Sequence, residues 1–299
     1  MFREYAIDPA VVSDWERFRF LDEIFQVENG RFVSEVPKKW KRMVFDGISC
    51  KPVQKTRVTE LLKNWTFAAR EKREYGSHLS WFDNILNLHN DLKFEKIIVD
   101  SDIDNEESIN IDILDRDRLH YVNGIVNRNA VEMMNAIKLL LQTAKTIKII
   151  DPYYGENSTS ALNTFREMTC LIDHSPYKKR CEGIEIYTCA SDVPGAKKIA
   201  ESYQNMFSPH IPVVLKCDIF FFASGYMHNR FIMSDIVGVQ LGHGLLEKPN
   251  DTDDYSILSK EAYNHRYNEY TGSNPKLIYQ DNINASVACS ATDFVNGRL

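Results

Sequence analysis

The sequence lacks the marks of a membrane or exported protein. No apolar run approaches the roughly 18 residues that cross a bilayer, and the first residues, MFREYAIDPAVV, contain no apolar signal-peptide core. We therefore expect a cytoplasmic protein. At 299 residues with 43% hydrophobic side chains, the chain has enough apolar material for one large domain or two ordinary ones.

Paired cysteines and metal-binding spacings are also missing. The six cysteines form no C-x-x-C pair, which is typical of buried thiols in a reducing compartment. The acidic run that starts at Asp100 has Asn105 and Ile111 where a calcium loop needs glycine and glutamate. There is no P-loop, no G-x-G-x-x-G and no G-x-S-x-G. We predict neither a metal nor a cofactor.

Positive charge is not in excess, because 36 Lys and Arg face 42 Asp and Glu, for a net charge of −6. This excludes a protein covered in basic charge, although a local basic groove stays open. One basic cluster surrounds Trp40 and consists of Lys38, Lys39, Lys41 and Arg42. It is either a nucleic-acid-binding surface, with basic side chains interleaved with an aromatic ring, or a solvated helix face with Trp40 in the core.

Residues 1–118 are predicted to form a mainly helical domain. Asp8 and Pro9 are typical of a helix N-cap and first turn, and apolar residues follow at helical spacing. Further amphipathic helices are predicted over residues 37–47, 56–72 and 79–92. Two short strands, over residues 95–99 and 109–113, are predicted to form a β hairpin.

Residues 119–299 are predicted to form a second domain of the α/β class. A helix over 130–146 leads to an apolar strand, Ile147–Ile150, that ends in Asp151-Pro-Tyr. Helices over 158–170 and 194–206 alternate with strands over 183–189 and 211–222. After two more strands near residues 231–241 we expect a polar loop over 248–254, a helix over 255–268 and a strand over 275–279.

The chemistry of the second domain is concentrated in residues 226–245, YMHNRFIMSDIVGVQLGHGL. His228, Arg230 and Asp235 follow the spacing H-x-R-x4-D, and Gly242-His243-Gly244 comes after six intervening residues. Two residues apart on a strand, the imidazole of His228 and the guanidinium of Arg230 should share one face. A fixed positive charge beside a neutral imidazole favours a phosphate site, where the ring nitrogen attacks phosphorus.

This run resembles the phospholipase D superfamily signature, H-x-K-x4-D-x6-G-[SG]-x-N. The chain departs from it at Arg230, at His243 and at Leu245. The ending G-x-G-L is also similar to the phospholipase D-like, membrane-binding domain found behind some MIT domains. The resemblance implies an α-β-α sandwich with a mixed sheet for residues 119–299.

The resemblance also implies a metal-independent phosphodiesterase, most simply a nuclease that pairs two motifs in a homodimer. His228 would be the nucleophile or general acid, Arg230 the phosphate clamp and Asp235 an orienting partner. The small-residue cluster would bind phosphate through Gly242, His243 and Gly244. Two other roles stay open for His243. It would act as a general acid within the same chain, or it would be a turn residue that only hydrogen-bonds the backbone.

The alternative is a catalytically degenerate module. It would bind phosphate on nucleic acid or on a lipid headgroup, or bind a partner protein. In either case, whether the protein acts together with a partner ATPase or sensor protein is left open by the sequence.

Overall fold

The computed structural model of the chain describes residues 1–48, 51–71, 74–101, 103, 105–114, 124–155, 158–178, 181–271 and 276–285. It is a mixed α/β structure with two sheets. Internal contacts divide the chain into two units. Unit 1 holds Met1–Val122 together with Pro176–Lys178, and unit 2 holds Asn123–Ser175 and Lys179–Leu299. The boundary predicted near residue 118 lies outside the described residues.

Unit 1 combines helices with short strands. Its strands are β1 (Arg3–Ile7), β2 (Arg31–Ser34), β3 (Phe67–Ala68), β4 (Ile97–Val99) and β5 (Ser108–Asn110). Its helices are α1 (Pro9–Val12), α2 (Trp15–Ile24), α3 (Trp40–Gly47), α4 (Pro52–Leu61) and α5 (Trp81–Leu92). The long helix predicted over 56–72 is therefore shorter, and it gives way to β3.

The five described strands of unit 1 form one parallel sheet in the order β3-β2-β1-β4-β5. This corrects one prediction for residues 1–118, because β4 and β5 pair in parallel instead of forming a hairpin. Helices still hold more of the described residues of unit 1 than strands do, but the parallel sheet among them is not expected from the sequence. The strands were hard to predict because each has only two to five residues, too few for a clear alternation.

The helices of unit 1 begin where the sequence supplies caps. The Asp8 carboxylate accepts a hydrogen bond from the backbone N–H of Ala10, and Pro9 opens α1. The Asp14 side chain accepts from Glu16 and Arg17 and starts α2. The apolar residues that follow Asp8 at helical spacing thus belong to two helices, because Asp14 caps a second one.

Unit 2 is built on longer elements. Its strands are β6 (Gly124–Asn127), β7 (Thr146–Ile150), β8 (Gly183–Ala190), β9 (Lys216–Ala223), β10 (Arg230–Ser234), β11 (Gly238–Leu241), β12 (Thr252–Ile257) and β13 (Leu277–Asn282). Its helices are α6 (Ala130–Ala136), α7 (Lys138–Thr143), α8 (Ser158–Asp173), α9 (Val193–Phe207) and α10 (Lys260–Thr271). The α/β class predicted for this region is confirmed in this alternation.

The sheet of unit 2 is mixed and runs β13-β9-β8-β7-β10-β11-β12-β6 among the described strands. The strands β7, β8 and β9 are parallel, and the other pairs are antiparallel. Strand β10 lies between β7 and β11, with Arg230 opposite Leu241 and Phe231 opposite Ile150. The motif therefore starts at the centre of the sheet.

Helices cover the sheet of unit 2. Helix α10 packs on an apolar cluster that includes Phe231 and Met233 of β10. Helices α8 and α9 contact each other, with the rings of Phe165 and Phe207 4.2 Å apart, and α9 also contacts β8. Since successive strand residues point to opposite faces, Ile147 and Ile149 lie on the face opposite Ile150, and all three are fully buried.

The segment after the motif differs from the prediction. Residues 252–257, part of the expected polar loop and helix, form strand β12 between β11 and β6. Alternation is present there, with Asp253 and Tyr255 buried and Asp254 exposed. A carboxylate at a buried strand position reads as loop in a sequence, which is why the strand was missed.

The cysteines of the described residues lie at buried or half-buried positions. Of the four cysteines in the described residues, Cys181 and Cys217 are buried, while Cys170 and Cys189 are half-buried; all four are free thiols. Burial raises the pKa of the Cys181 thiol to about 11. No helix in the described part of the chain is long and apolar enough to cross a bilayer.

Candidate functional site

Arg230 lies at the start of β10, where the sheet meets the loop of Gly242, His243 and Gly244. Antiparallel pairing puts Arg230 opposite Leu241, the last residue of β11, so the loop begins beside the guanidinium. Nη1 of Arg230 donates to the carbonyl oxygen of Gly242 at 3.4 Å. The structure thus brings together Arg230 and the predicted phosphate-binding loop.

A buried carboxylate holds Arg230 in place. Asp151 directly follows β7, the strand next to β10, and is 2% exposed. Its Oδ1 lies 3.5 Å from Nε of Arg230, whose side chain is 24% exposed. The same Oδ1 accepts from the backbone N–H of Tyr153 at 2.9 Å. One face of the guanidinium is therefore anchored, and the group still reaches solvent.

At Gly242 and Gly244 of the loop, a side chain would clash with neighbouring residues. A Cβ at Gly244 would lie 2.2 Å from Oδ2 of Asp151 and 2.7 Å from Cδ of Arg230, and this residue has φ +80°. A Cβ at Gly242 would lie 2.4 Å from Oδ1 of Asp253. Each glycine lets the backbone approach a buried carboxylate, so side chains are excluded at both positions.

His243 is oriented by Asp253, a residue that the sequence did not identify. Both carboxylate oxygens accept from the backbone N–H of His243, at 3.0 and 2.9 Å. Oδ1 also lies 3.1 Å from Nδ1 of the ring, so Nδ1 carries the hydrogen in this pair. The Asp253 side chain is 1% exposed and that of His243 is 62% exposed. Nε2 is left for a ligand.

His228 is exposed and lies two residues before β10 begins. The strand starts at Arg230, so the prediction that both residues project from one face of a strand does not hold. Within the described part of the chain, the structure gives His228 neither a hydrogen bond nor an ion pair. Its ring is free to meet a ligand.

Asp235 is corrected from a catalytic to a structural role. It follows the last residue of β10, about 16 Å of strand away from Arg230. Its Oδ1 accepts from the backbone N–H groups of Lys145, at 2.7 Å, and Thr146, at 3.4 Å. The carboxylate therefore stabilises the start of β7 at the opposite end of the strand, where it cannot orient a group at the Arg230 site.

The basic cluster of unit 1 does not present an aromatic ring. Trp40 is fully buried, and its Nε1–H donates to the carbonyl oxygen of Ile7 at 2.6 Å. The predicted surface of basic side chains interleaved with an exposed aromatic ring is therefore wrong, because Trp40 belongs to the core. Nζ of Lys41 lies 3.9 Å from the ring centre of Phe67, and Arg42 pairs with Asp46 at 3.4 Å. Lys38 and Lys39 are exposed, and their binding of nucleic acid stays a prediction.

Unit 2 also contains a row of charged side chains across three strands, and this row has a structural role. Lys148, Glu185 and Asp218 lie side by side on β7, β8 and β9. Lys148 is 5% exposed and contacts Glu185, which also accepts from the hydroxyl of Tyr187. Burial and this carboxylate raise the pKa of Tyr187. Lys148 lies three residues before Asp151, about 10 Å along the strand, so the row is separate from the Arg230 site.

Arg230 and the loop of His243 lie side by side, at the end of strand β10 where that strand begins. Buried carboxylates fix the guanidinium of Arg230 and the imidazole of His243, and the exposed His228 lies two residues before Arg230 in the chain. Such a set can bind a phosphate group, attack it with a ring nitrogen and exchange protons. Within the described residues, no group of three or more His, Cys, Asp or Glu side chains could hold a metal ion.

No family model and no curated protein matches the chain. Fifteen chains of solved structures match. One is TrmBL2, described as an archaeal chromatin protein with a novel mode of DNA binding. It is 13% identical with a TM-score of 0.24, over 50% of this chain and 53% of that chain. The match spans about half of TrmBL2, and a TM-score this low assigns neither fold nor function.

Proposed function

We propose that the chain is a metal-independent phosphodiesterase of the phospholipase D type that acts on nucleic acid. The observation that carries the proposal is the pair of buried carboxylates. Asp151 holds Arg230 at 3.5 Å and Asp253 holds His243 at 3.1 Å, on either side of a loop whose glycines admit no side chain. This is a preorganised arrangement of a phosphate clamp and an oriented imidazole.

The proposed reaction has two steps. Nε2 of His228 attacks phosphorus, so a P–N bond forms while the P–O bond to the leaving oxygen breaks. His243, protonated on Nε2, gives that proton to the leaving oxygen. Water then attacks the phosphohistidine and loses a proton to His243, and the P–N bond breaks. Arg230 stabilises charge on the phosphoryl oxygens throughout, and Asp253 positions His243.

The same proposal extends to the fold. Its support is a mixed sheet with α8 and α9 on one face, α10 on the other, and a catalytic motif that starts a central strand. We propose that these layers form the α-β-α sandwich that the sequence resemblance implies.

A homodimer stays part of the proposal, since the chain carries one H-x-R-x4-D motif. Two copies would supply two His228 side chains, whereas the His243 acid works within one copy. Light scattering on the purified protein measures the state. Mixing His228→Ala with His243→Ala protein then separates the arrangements, because recovered activity requires a site shared between copies.

The test of the enzyme proposal is cleavage of single- and double-stranded DNA and RNA in excess EDTA. We expect the wild-type protein to cleave at least one of these substrates and His228→Ala to lose more than about 100-fold of the rate. The matched control is His265→Ala, since His265 is an exposed histidine on α10. Equal activity in His228→Ala and the wild type would remove His228 from the mechanism.

A phosphate-binding module without turnover is the second candidate. The observation that favours it is Leu245, which is fully buried where the phospholipase D signature has asparagine. Its readout is oligonucleotide or lipid-headgroup binding that falls with rising salt and is lost in Arg230→Ala, with no cleavage by the wild type.

A further inference from the structure

Tyr153 contacts Arg230 through its ring and also lines a neighbouring cavity. It is an exposed large hydrophobic residue, with 47% of its surface accessible. The ring centre is 5.4 Å from Cζ of Arg230, a cation–π distance. The same residue lines a cavity of about 290 Å³. One side of Tyr153 therefore meets the proposed phosphate clamp, while the residue also faces an empty space.

Tyr153 is held by the carboxylate that also holds Arg230. Its backbone N–H donates to Oδ1 of Asp151 at 2.9 Å, and Nε of Arg230 lies 3.5 Å from the same oxygen. Pro152 precedes it and restricts the backbone further. The Tyr153 backbone and the Arg230 guanidinium are thus held by one carboxylate, which lowers the entropy lost when a ligand orders the two side chains.

The walls of the cavity combine apolar and aromatic side chains, among them Tyr154, Ile199 and Tyr203, with a few polar groups, which suits a flat aromatic ligand. Thr188, Cys189 and Ser202 line it together with Tyr153. Lys198 lines it as well and is exposed, and the described residues give it no carboxylate partner. A ring, hydroxyl groups and an unpaired cation fit a nucleobase with a phosphate beyond it better than they fit an acyl chain.

We propose that this cavity is a nucleobase subsite in which Tyr153 stacks on the base next to the phosphate at Arg230. Lys198 then binds the following phosphate. Because a base in a duplex is paired and stacked on its neighbours, the subsite selects single-stranded nucleic acid. The inference rests on the proposed function and adds the substrate class to it.

The test compares two single-stranded oligonucleotides of equal length and charge, one with bases and one fully abasic. Binding is measured by fluorescence anisotropy in EDTA at fixed salt, with protein in excess over the oligonucleotide and at low temperature to slow cleavage. We expect Tyr153→Leu to weaken binding of the oligonucleotide with bases about tenfold and to leave abasic binding unchanged. Tyr153→Phe keeps the ring and should bind both as the wild type does.

The cation is tested with a matched neighbour. Lys198→Ala should weaken both oligonucleotides and lower the slope of log affinity against log salt by about one contact. Lys197→Ala is the control, since Nζ of Lys197 lies 5.8 Å from the ring centre of Tyr279 and Lys197 does not line the cavity. Thermal unfolding of each variant confirms that it is folded.

Three results would overturn the inference or the function beneath it. An equal loss for the two oligonucleotides in Tyr153→Leu means that the ring acts through Arg230 and not on a base. No loss for either means that the cavity takes no base, while the effect of Arg230→Ala still supports the phosphate site. If the wild type binds neither oligonucleotide, the proposed function itself fails.

Discussion

The two units use buried polar side chains for different ends. In unit 1 they stabilise the fold: Trp40 donates to the carbonyl oxygen of Ile7, and Arg31, only 9% exposed, donates to that of Ile24 at 2.8 Å. In unit 2 two buried carboxylates hold side chains that reach solvent. Asp151 anchors Arg230 and Asp253 anchors His243.

That difference indicates where function lies. A buried donor that satisfies a backbone carbonyl leaves nothing for a ligand. A buried carboxylate that holds an exposed cation or imidazole leaves the outer side of that group available, at a fixed position. Variants in each unit can therefore break or sharpen the comparison.

The largest effect is expected at Trp40. Trp40→Ala should destabilise unit 1 by about 3–5 kcal/mol, because it removes a fully buried ring and its hydrogen bond. Chemical denaturation measures the loss, and Trp40→Phe should cost less because most of the packing remains. While the protein stays folded, oligonucleotide affinity should not change; a loss as large as that of Arg230→Ala would contradict the comparison.

The next effect is expected at Gly244. Gly244→Ala should cost about 2–4 kcal/mol and abolish binding, because the new Cβ would meet Asp151 and Arg230 at a residue with φ +80°. Gly225→Ala is a matched control. Gly225 has φ +82° with open space around its Cβ position, so this variant should cost only about 1–2 kcal/mol and keep binding. Equal effects would mean that the loop does not need close approach.

Asp253→Asn tests the orientation of His243. The amide nitrogen would replace one oxygen that accepts from His243, so we expect a loss of about 1–3 kcal/mol and a cleavage rate about 10- to 100-fold lower. Nitrogen-15 NMR of the ring should show hydrogen on Nδ1 in the wild type and on Nε2 in the variant.

The control for this change is Asp254→Asn, at the exposed neighbouring position on β12. It should alter neither the rate nor the tautomer. An unchanged tautomer in Asp253→Asn would show that Asp253 supports only the backbone of the loop.

The smallest effect is expected at Asp8. Burial and the nearby Asp100 raise the pKa of the Asp8 carboxyl, so the folded state holds its proton more tightly than the unfolded state. Its contribution to stability is therefore largest at low pH and is lost as pH rises through the folded pKa. Asp8→Asn keeps a capping oxygen and should stabilise unit 1 at pH 7 by less than about 1 kcal/mol.

Thermal unfolding between pH 3 and 8 checks this prediction. The gap between Asp8→Asn and the wild type should close as pH falls. Asp14→Asn, which changes the cap of α2, is the comparison. A gap that stays constant with pH would assign the effect to capping rather than to charge.

The elements that could be predicted from the sequence are those with enough residues to show a clear pattern. In unit 2 the strands β8 and β9 each have eight residues, and the resemblance to the phospholipase D signature puts Arg230, Gly242 and His243 in one motif, whose residues the structure places side by side. In unit 1 the four residues of β2 and the two of β3 carry too little pattern to indicate strands, so the sequence predicts the helices and a hairpin but no parallel sheet.

The partners of the site were missed for a different reason. Asp253 is ten residues from His243 and opposes it only because β12 pairs with β11, a pairing with no local signature. Asp151 is even farther away in sequence, although its position after an apolar strand was visible. Asp235 was misassigned because spacing along the chain does not say which end of a strand a residue occupies.

The most direct test of the account is to trap the covalent intermediate. Wild-type protein is mixed with a single-stranded oligonucleotide in EDTA, quenched in base to preserve phosphohistidine, digested and analysed by mass spectrometry. We predict a phosphoryl-nucleotide adduct on the peptide that contains His228 and none in Arg230→Ala. Cleavage without an adduct on His228, or an adduct on His243, would contradict the assignment of nucleophile and acid.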